Sequence, residues 1–600
     1  MLGSTILNGR QHVGLQKLSA LAGISHSCLG PGRKYKFITD DTSGESALVC
    51  SCFRIVESLQ LTCAVGQLVH ETLQAHQKVY HSGSGCLLFL AGAWSRAALD
   101  CLQQGITVPQ IISAMFEGME ICADVCRKCA VSTEGLGVSH KVSQASCTVQ
   151  KHKVLNVSER RRVKLSRHFC ESTSEYEVIP APQLPDITHL AEGLSHNCDD
   201  TMKLVVEAIQ LQSETNQQDS RRFAFDVSKV MTCVLPGLTE GHACVVQGSV
   251  FLLSAEQTSV AHHLNEQALK VALITGDLSD TYRHVGFNRP TSVQHVSDRL
   301  NLLGLSREDE WVEKAVTVLL NLEVNLILSS GVACEKVIQH CCRHHILVVE
   351  KVKASVLKTF AASTGAVPVT YVTQLTQHSV GTGVKSAIWR DLSGHKGTTA
   401  AAVSVSTARN SGLVTAVLTS CLHGKLQALE DQFWACAYRL HHALNDRALL
   451  PGAGRTEMLC IHHLQRRAEM HAKQELKGVQ QTQPGTAAVL RLMADGLIDY
   501  TSTIMVNSGR FSKVSARTVV CQHVQDVNTH VSSAASFPQL LLEGDPAVKL
   551  DKAPAVEVYD NLSVKQEAWR KALDLVSLVL QTDAEVITGV GQSTDNLMML

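Results

Sequence analysis

The chain has 600 residues, of which 45% are hydrophobic and 18% are charged, and its formal net charge is −1. This length corresponds to several ordinary domains, and the apolar fraction is enough for a sizeable core, which excludes a largely disordered chain. The near-neutral charge and the sparse aromatic residues (5 Trp, 8 Tyr and 13 Phe) argue against a nucleic-acid-binding surface as the main function.

The first third of the chain has the periodicity of helices. One amphipathic stripe contains Val65, Leu68, Val69, Thr72 and Leu73. A second helix is predicted over Cys86–Leu102, before Gly105, and a third from Pro109 to Cys126, because proline is tolerated in the first turn. The apolar run Cys86–Trp94 is shorter than the roughly 20 residues that span a bilayer, and the N-terminus lacks the apolar stretch of a secretory leader. We therefore expect no transmembrane helix and no leader.

Periodicity fades in the segment 128–185, which is rich in serine, threonine and charge and ends in several prolines. This composition predicts a mobile insertion. Its basic run Arg160–Arg162 is interpreted as a solvated surface, with a binding role as the alternative.

The middle of the chain alternates between strand and helix patterns. Short apolar runs predict strands at Leu269–Thr275, Val324–Leu328, Ile346–Val349 and Val369–Val372. Helical stretches lie between the last three runs, over Cys334–Cys342 and Lys353–Ser363. Strand–helix–strand at this spacing predicts parallel pairing with crossover helices, hence a compact α/β module over about 220–375.

The last third is helical again, with predicted helices over Phe433–Leu444 and Glu567–Leu580 and a glycine-bearing turn at Pro451–Gly454. The order along the chain is therefore α, then α/β, then α. If the two helical ends pack together, the central module is an insertion in a discontinuous helical domain.

Several short patterns were considered as metal, redox or phosphate sites. The 21 cysteines are interpreted as reduced core residues, and Cys122, Cys126 and Cys129 share one helical face suited to packing. His70–Gln74 begins like the zinc-binding HExxH motif but lacks the second histidine, and His340–His345 has no CxxC pair, so no metal site is predicted. No P-loop is present. The loop His81–Gly85 precedes a helix, where backbone N–H groups can bind phosphate, although a structural turn is the simpler interpretation.

Motifs along most of the chain resemble those of group II chaperonin subunits. The matching strings, in the order and spacing of that family, are Leu29–Lys36, Ser82–Ser84 followed by Leu90–Gly92, Gln104–Ile106, Pro109–Ile112, Leu450–Gly454 with Glu457, and Val564–Lys565 leading to Thr582–Asp583 and Ile587. The resemblance implies a multidomain α/β fold with a discontinuous, mainly helical equatorial domain, an intermediate domain and an inserted α/β apical domain.

The resemblance also implies domain boundaries. We expect the equatorial domain over 1–127 and 426–600, the latter with a divergent insertion at about 475–550. The intermediate domain is expected over 186–219 and 376–425, and the apical domain over 220–375. The insertion 128–185 lies outside these units.

The resemblance further implies a nucleotide pocket in which the family's acidic positions have changed. Where ATP-hydrolysing chaperonins carry metal-binding or catalytic aspartates, this chain has Ser51, Ser82 and Ala435. Because magnesium prefers carboxylate oxygens and phosphoryl transfer needs the metal and a positioned water, we expect little or no ATP hydrolysis and no catalytic or metal-binding residue. A vestigial pocket that binds ATP weakly remains open, and its candidate residues are Gly30, Pro31, Gly83, Ser84, Gly452 and Gly454.

Longer strings resemble the chaperonin-like Bardet-Biedl proteins. They are Val13–Ser19, Thr62–Leu68, Phe89–Trp94, Tyr282–Asn288 and Phe433–Leu440. This resemblance implies an assembly factor for the ciliary trafficking coat complex, the BBSome. The implied partners are other chaperonin-like Bardet-Biedl proteins and cytosolic chaperonin subunits, with the coat-complex subunits as clients. The implied location is the cytoplasm, with the centrosome, basal body and cilium.

Two alternatives stay open at this point. The first is an ATP-driven folding subunit with a rearranged site, for which Asp40, Asp41 and Glu45 are the nearest candidate carboxylates in sequence. The second is a free-standing binding module, in which the segment 220–375 recognises a partner and the protein is a monomer.

Overall fold

The computed structural model describes residues 3–6, 12–39, 44, 46–133, 187–215, 225–282, 307–391, 401–407, 411–476, 484–527 and 557–587. The predicted mobile insertion lies outside the described residues from position 134 onward, including Arg160–Arg162. Asp40, Asp41 and Glu45 also lie outside them.

Helices and strands alternate in large blocks along the chain. The helices are α1 Val13–Gly23, α2 Cys52–Ser58, α3 Ala64–Tyr80, α4 Ser84–Gln103, α5 Val108–Cys129, α6 Ile187–Leu194, α7 Asp199–Thr215, α8 Ala255–His263, α9 Arg307–Asn321, α10 Glu335–Arg343, α11 Ala354–Thr364, α12 His423–Asp446, α13 Arg455–Leu476, α14 Thr486–Asn507, α15 Lys513–Val527 and α16 Leu562–Gln581. The strands are β1 Gly3–Ile6, β2 Lys36–Thr39, β3 Ser46–Val49, β4 Val131–Ser132, β5 Val230–Pro236, β6 Cys244–Gln247, β7 Ser249–Leu253, β8 Ala268–Ile274, β9 Leu326–Ser329, β10 Leu347–Val349, β11 Gly381–Asp391, β12 Ala401–Thr407, β13 Val414–Ser420, β14 Ala448–Pro451, β15 Tyr559–Asn561 and β16 Ala584–Ile587.

Helices from both ends of the chain form one helical body. Its core joins α1 and α3–α5 to α13–α16, and α4 packs against α1, α14 and α16. Because most of α4 is apolar, with Arg96 and Asp100 confined to its second half, the helix is largely buried at the centre of this body. Among the described residues, α4 is the one helix long and apolar enough to cross a membrane by length and composition, and 78% of its apolar window is buried inside the protein. The predicted helices of the first third are confirmed.

The middle of the chain forms a six-stranded sheet in the order β10-β9-β8-β11-β12-β7. Strands β8, β9 and β10 are parallel, while β11 runs antiparallel to β8 and β12, as predicted for the first three runs. The sheet includes β11 and β12, which lie beyond the predicted apical boundary at residue 375. Helices α8 and α11 cover one face of the sheet, and α9 and α10 cover the other.

The prediction of a strand over Val369–Val372 was wrong. Val369 makes a single parallel bridge to Ile274, and the chain then turns into a 3-10 helix over Val372–Gln374. The side-chain oxygen of Gln374 accepts hydrogen bonds from the N–H groups of Thr370 and Tyr371, each at 3.2 Å. These donors are therefore not available to extend the sheet, which explains why an apolar run failed to become a strand.

A smaller three-stranded sheet, β5-β13-β6, connects the two larger units. Helices α6, α7 and α12 pack on it through a core that includes Leu190, Val205, Leu418 and Phe433. Helix α12 continues from this core into the helical body, where β14 pairs with β15 and β4. The segment 475–550, expected to diverge from the family, contains α14, whose Leu490 and Leu497 are fully buried.

Candidate functional site

A cavity of about 1450 Å³ lies where the helical body meets α6, α7 and α12. Backbone loops form its floor, and these are the loops after α1, before α2 and between α3 and α4. Helices α7, α12 and α14 supply its walls, and the start of α13 and the β15–α16 junction complete it. The cavity therefore combines loops that are far apart in sequence.

The structure brings most of the predicted site residues to this one cavity. They are Gly30, Pro31, Ser51, Ser82, Gly83, Ser84, Ala435 and Gly454. Gly452 does not line the cavity. Its N–H group donates to the carbonyl of Val558 at 2.8 Å, and a Cβ there would come within 3.0 Å of Val558, so Gly452 serves the close approach of β14 to the chain before β15.

Glycine is required at the cavity floor for conformational and steric reasons. Gly30 and Gly83 have φ values of +77° and +82°, which disfavour residues with a side chain. A Cβ at Gly83 would also come within 2.9 Å of His76 and Val564. Gly83 precedes the first turn of α4, where free backbone N–H groups can receive an anion. The floor thus combines two tight glycine turns with the start of a helix.

The three positions at which the family resemblance implies acidic side chains carry no charge. Ser51 precedes α2, and Ala435 lies on α12 with 8% of its surface exposed. Ser82 makes local contacts, since its hydroxyl donates to the carbonyl of Tyr80 at 3.2 Å and its own carbonyl accepts from His76 Nε2 at 2.9 Å. None of the three side chains supplies a carboxylate ligand for magnesium.

The cavity does contain carboxylates, and three of them are bound to basic side chains. Asp431 contacts Arg54 at 3.2 Å. Lys565 donates to Glu457 at 2.5 Å and to Asp560 at 2.6 Å. Each of these carboxylates is already paired with a basic side chain, so binding a metal at any of them would require breaking a salt bridge.

Burial and these ion pairs together shift the pKa values of Asp431, Asp560 and Lys565. Burial raises the pKa of Asp431 even though Arg54 opposes the shift. Burial also disfavours the charged form of Asp560, but Lys565 and His196 outweigh it and hold the pKa of that carboxyl below its ordinary value. Burial acts against the Lys565 ammonium as well, yet Asp560 and Glu457 raise the pKa of this lysine well above its usual range. Asp560 and Lys565 therefore stay ionised at neutral pH.

An aromatic cluster at the cavity edge was missed by the sequence interpretation. The ring of His81 stacks on Tyr438 with centroids 3.9 Å apart, and Lys353 Nζ lies 3.6 Å from the ring centroid of Trp434. Burial, followed by the charge of Lys353, lowers the pKa of His81 to about 4. Trp434 and Tyr438 are four residues apart on α12, and this helical spacing was the available signal. The cluster links the cavity loop to the six-stranded-sheet unit through Lys353 at the start of α11.

The remaining candidate patterns lie apart from the cavity. Cys122 and Cys126 are buried in the helical core with Cys460, so the prediction of core packing is confirmed for these two. His70 lies on α3, and His340 and Cys341 lie on α10. Within the described ranges, no group of three or more His, Cys, Asp or Glu side chains is arranged to hold a metal ion.

Comparison with protein families identifies the class to which this fold and cavity correspond. The TCP-1/cpn60 chaperonin family matches residues 187–589, which is more than half of the chain. The chain belongs to the TCP-1/cpn60 chaperonin family.

Individual relatives match over nearly the full length. The Chaperonin-containing T-complex member BBS12 of Xenopus laevis is 34% identical over 659 residues, covering 98% of this chain and 98% of the frog protein. The protein of the same name from Homo sapiens is 33% identical over 703 residues, covering 99% of this chain and 98% of the human protein. The mouse protein is 33% identical over 690 residues.

Proposed function

We propose that this protein is a chaperonin-like assembly factor that acts through protein contacts and does not hydrolyse ATP. The observation that carries the proposal is the cavity itself. Its floor has tight glycine turns at Gly30 and Gly83, while Ser51, Ser82 and Ala435 line it without charge. An intact scaffold with uncharged residues at these positions favours binding or assembly over chemistry.

Physical chemistry supports the absence of hydrolysis. Transfer of a phosphoryl group depends on a metal that neutralises charge and on a group that positions the attacking water. Serine and alanine provide neither a negative charge nor a general base. The nearby Asp431, Glu457 and Asp560 are bound to Arg54 or Lys565, so a metal at any of them would have to compete with an existing salt bridge.

The proposed partners follow from the relatives, which are named as members of the chaperonin-containing T-complex. We propose that this chain also associates with cytosolic chaperonin subunits and with other chaperonin-like Bardet-Biedl proteins. Its proposed clients are subunits of the BBSome, and the proposed location is the cytoplasm with the centrosome, basal body and cilium.

Native sedimentation tests this proposal. The tagged chain is expressed at its natural level and extracted without denaturant, and its gradient fractions are analysed by mass spectrometry, with an unrelated protein carrying the same tag as control. We expect the chain to sediment with chaperonin subunits, far ahead of a monomer, and to enrich BBSome subunits. Sedimentation as a monomer without chaperonin subunits would contradict the proposal and favour the free-standing binding module.

An ATP-driven folding subunit is the second candidate. The observation in its favour is the turn at Gly83, which leaves the first N–H groups of α4 open to a phosphate. Equilibrium dialysis with labelled ATP, with and without magnesium, separates nucleotide binding from turnover. Binding without turnover agrees with the assembly factor, whereas binding that requires magnesium and leads to phosphate release supports the second candidate.

A further inference from the structure

A buried arginine lines the central cavity without a carboxylate beside it. Arg439 lies on α12 with 4% of its surface exposed. Its guanidinium donates through Nε to the carbonyl of Ala435 at 3.2 Å, and through Nη1 to the carbonyls of Leu194 and Ser195 at 2.6 and 3.0 Å. Nη2 contacts Cys436 Sγ at 3.4 Å. None of these four acceptors is a carboxylate, although a buried cation is usually stabilised by a paired anion.

A second arginine, Arg33, lines the same cavity from the loop after α1. Its Nε donates to the carbonyl of Gly30 at 3.3 Å, while its two Nη groups donate to no acceptor in the part of the chain that the structure describes. The side-chain amide of Asn197, in the α6–α7 turn over 195–198, donates to the carbonyl of Pro31 at 3.4 Å. The loop that carries Arg33 and the guanidinium of Arg439 therefore contact the same turn.

The positive charges of these two arginines are not matched by ion pairs. Among the residues that the structure describes, neither Arg33 nor Arg439 forms a salt bridge, whereas Lys565 is held by two carboxylates. Exposed carboxylates on α6 and α7 also line the cavity without pairing with either arginine, and they are Glu192, Asp199 and Glu207. The cavity therefore carries two unpaired guanidinium charges beside the α6–α7 turn.

The ring of His196, in the same turn, is affected by both charges. Its Nε2 donates to the carbonyl of Tyr559 at 2.7 Å, which fixes the ring at the cavity wall. Burial is the largest cause that lowers the pKa of this histidine to about 4, and the charges of Arg439 and Arg33 act in the same direction, although Asp560 opposes them. The two guanidinium groups thus make the surroundings of the turn electrically positive.

We propose that this part of the cavity binds the phosphate group of a small phosphate monoester without a metal ion. Such a group carries a charge of about −1.5 to −2 at pH 7, which matches two unpaired arginines better than the single charge of a carboxylate does. Arg33 offers its two Nη groups to the phosphate as a planar fork, while Arg439, whose donors are bound within the protein, contributes charge. The cavity of about 1450 Å³ has room for the rest of the ligand. This ligand goes beyond the proposed assembly function, which does not require it.

Calorimetric titration of the purified full chain with phenyl phosphate tests the proposal, with benzoate as the matched carboxylate ligand. The titrations are done once with a metal chelator and once with magnesium. We expect saturable binding of phenyl phosphate that is the same in both conditions, and weaker or no binding of benzoate. Binding that requires magnesium, no saturable binding, or equal affinity for the two ligands would overturn the proposal.

Two neighbouring variants locate the site. Arg33→Gln should weaken the binding of phenyl phosphate by about tenfold or more, because it removes a charge-assisted donor fork. Lys34→Gln removes an exposed charge that does not line the cavity, so its affinity should equal that of the unmodified chain. Equal affinities of the two variants would contradict the assignment of Arg33.

Protection from chemical modification tests the site without any substitution. Phenylglyoxal modifies accessible arginines, and mass spectrometry follows the rate at each one. Phenyl phosphate at ten times its dissociation constant should slow the modification of Arg33 about tenfold and leave the exposed Arg127 on α5 unchanged. No slowing at Arg33, or equal slowing at both residues, would overturn the proposal. Either result would leave the proposed assembly function untouched, since sedimentation with chaperonin subunits does not depend on this ligand.

Discussion

At the scale of single residues, the ammonium of Lys565 is held by two carboxylates. It is buried at the cavity wall between Glu457 and Asp560, which come from α13 and β15. The resemblance drew attention to Glu457 and Lys565 as separate motif residues, but their pairing joins positions that are far apart in the chain. Such a contact depends on how three elements pack, so no local pattern in the sequence could have predicted it.

Replacing Lys565 tests how much the Glu457–Lys565–Asp560 triad contributes to the free energy of unfolding. Lys565→Met should lower the free energy of unfolding by about 3–5 kcal/mol, because it leaves two carboxylates without their buried partner. Lys571→Met on the same helix removes a 3.9 Å contact with Glu567 and should cost less than about 1 kcal/mol. Chemical denaturation followed by circular dichroism measures both, and equal losses for the two variants would contradict the assigned role of Lys565.

Buried histidines predict a loss of stability in mild acid. Burial is the main cause that lowers the pKa of His76, His81 and His196 to about 4. Since an unfolded histidine titrates near 6.5, the unfolded chain binds more protons than the folded chain between pH 6.5 and 4. This stability is fully present above pH 6.5 and is lost as the pH falls from 6.5 toward 4.

The thermal unfolding midpoint measures this dependence. His76 is fully buried, so its share of the loss should reach about 3 kcal/mol between pH 6.5 and 4. In His76→Gln, whose amide can still donate to the Ser82 carbonyl, the midpoint should fall less steeply across this range. The same pH profile in both proteins would show that His76 does not titrate as proposed.

At the scale of secondary-structure elements, prediction succeeded where the hydrophobic periodicity of a segment alone defines the element. Helices α3–α5 and strands β8–β10 have periodicities that are set by burial of one face or of the whole segment. Val369–Val372 failed because a side-chain acceptor took the backbone donors. Strands β11–β13 were not predicted, although β13 is a buried run rich in valine and threonine, a composition that favours a strand.

The contact between α1 and α4 predicts a difference between two glycines. A Cβ added at Gly92 would lie 2.2 Å from Cβ of Ala22, whereas one added at Gly23 meets nothing within 4 Å. Gly92→Ala should therefore lower the free energy of unfolding by about 1–3 kcal/mol or more through overpacking. Gly23→Ala should leave it unchanged or raise it slightly, because alanine is the better helix former. Denaturant titration compares the two, and a neutral Gly92→Ala would contradict the close packing of α1 and α4.

At the scale of the whole molecule, Lys353 and Trp434 join the six-stranded-sheet unit to α12. The ammonium lies over the indole ring, and Trp434 neighbours Tyr438, on which His81 of the cavity loop stacks. A desolvated cation–π contact contributes about 2 kcal/mol. This chain of contacts connects the six-stranded-sheet unit to the cavity loop.

Titration of Lys353 makes the contact measurable. Burial lowers the pKa of this lysine to about 8, although Glu430 opposes the shift. Below pH 8 the ammonium of Lys353 is charged and makes the cation–π contact with Trp434; above pH 8 the lysine is neutral and this contact is lost. Tryptophan fluorescence should therefore change with a midpoint near pH 8. The change should vanish in Lys353→Met and in Trp434→Phe, and its persistence in both variants would exclude the contact as its source.

The central claim is that a chaperonin fold is used here without ATP hydrolysis, and phosphate release from magnesium-ATP by the purified chain tests it most directly. The uncharged Ser51, Ser82 and Ala435 along the cavity and the salt bridges of Asp431, Glu457 and Asp560 predict a rate equal to that of the protein-free control, with or without a magnesium chelator. Turnover that requires magnesium and disappears in Ser82→Ala would contradict the claim.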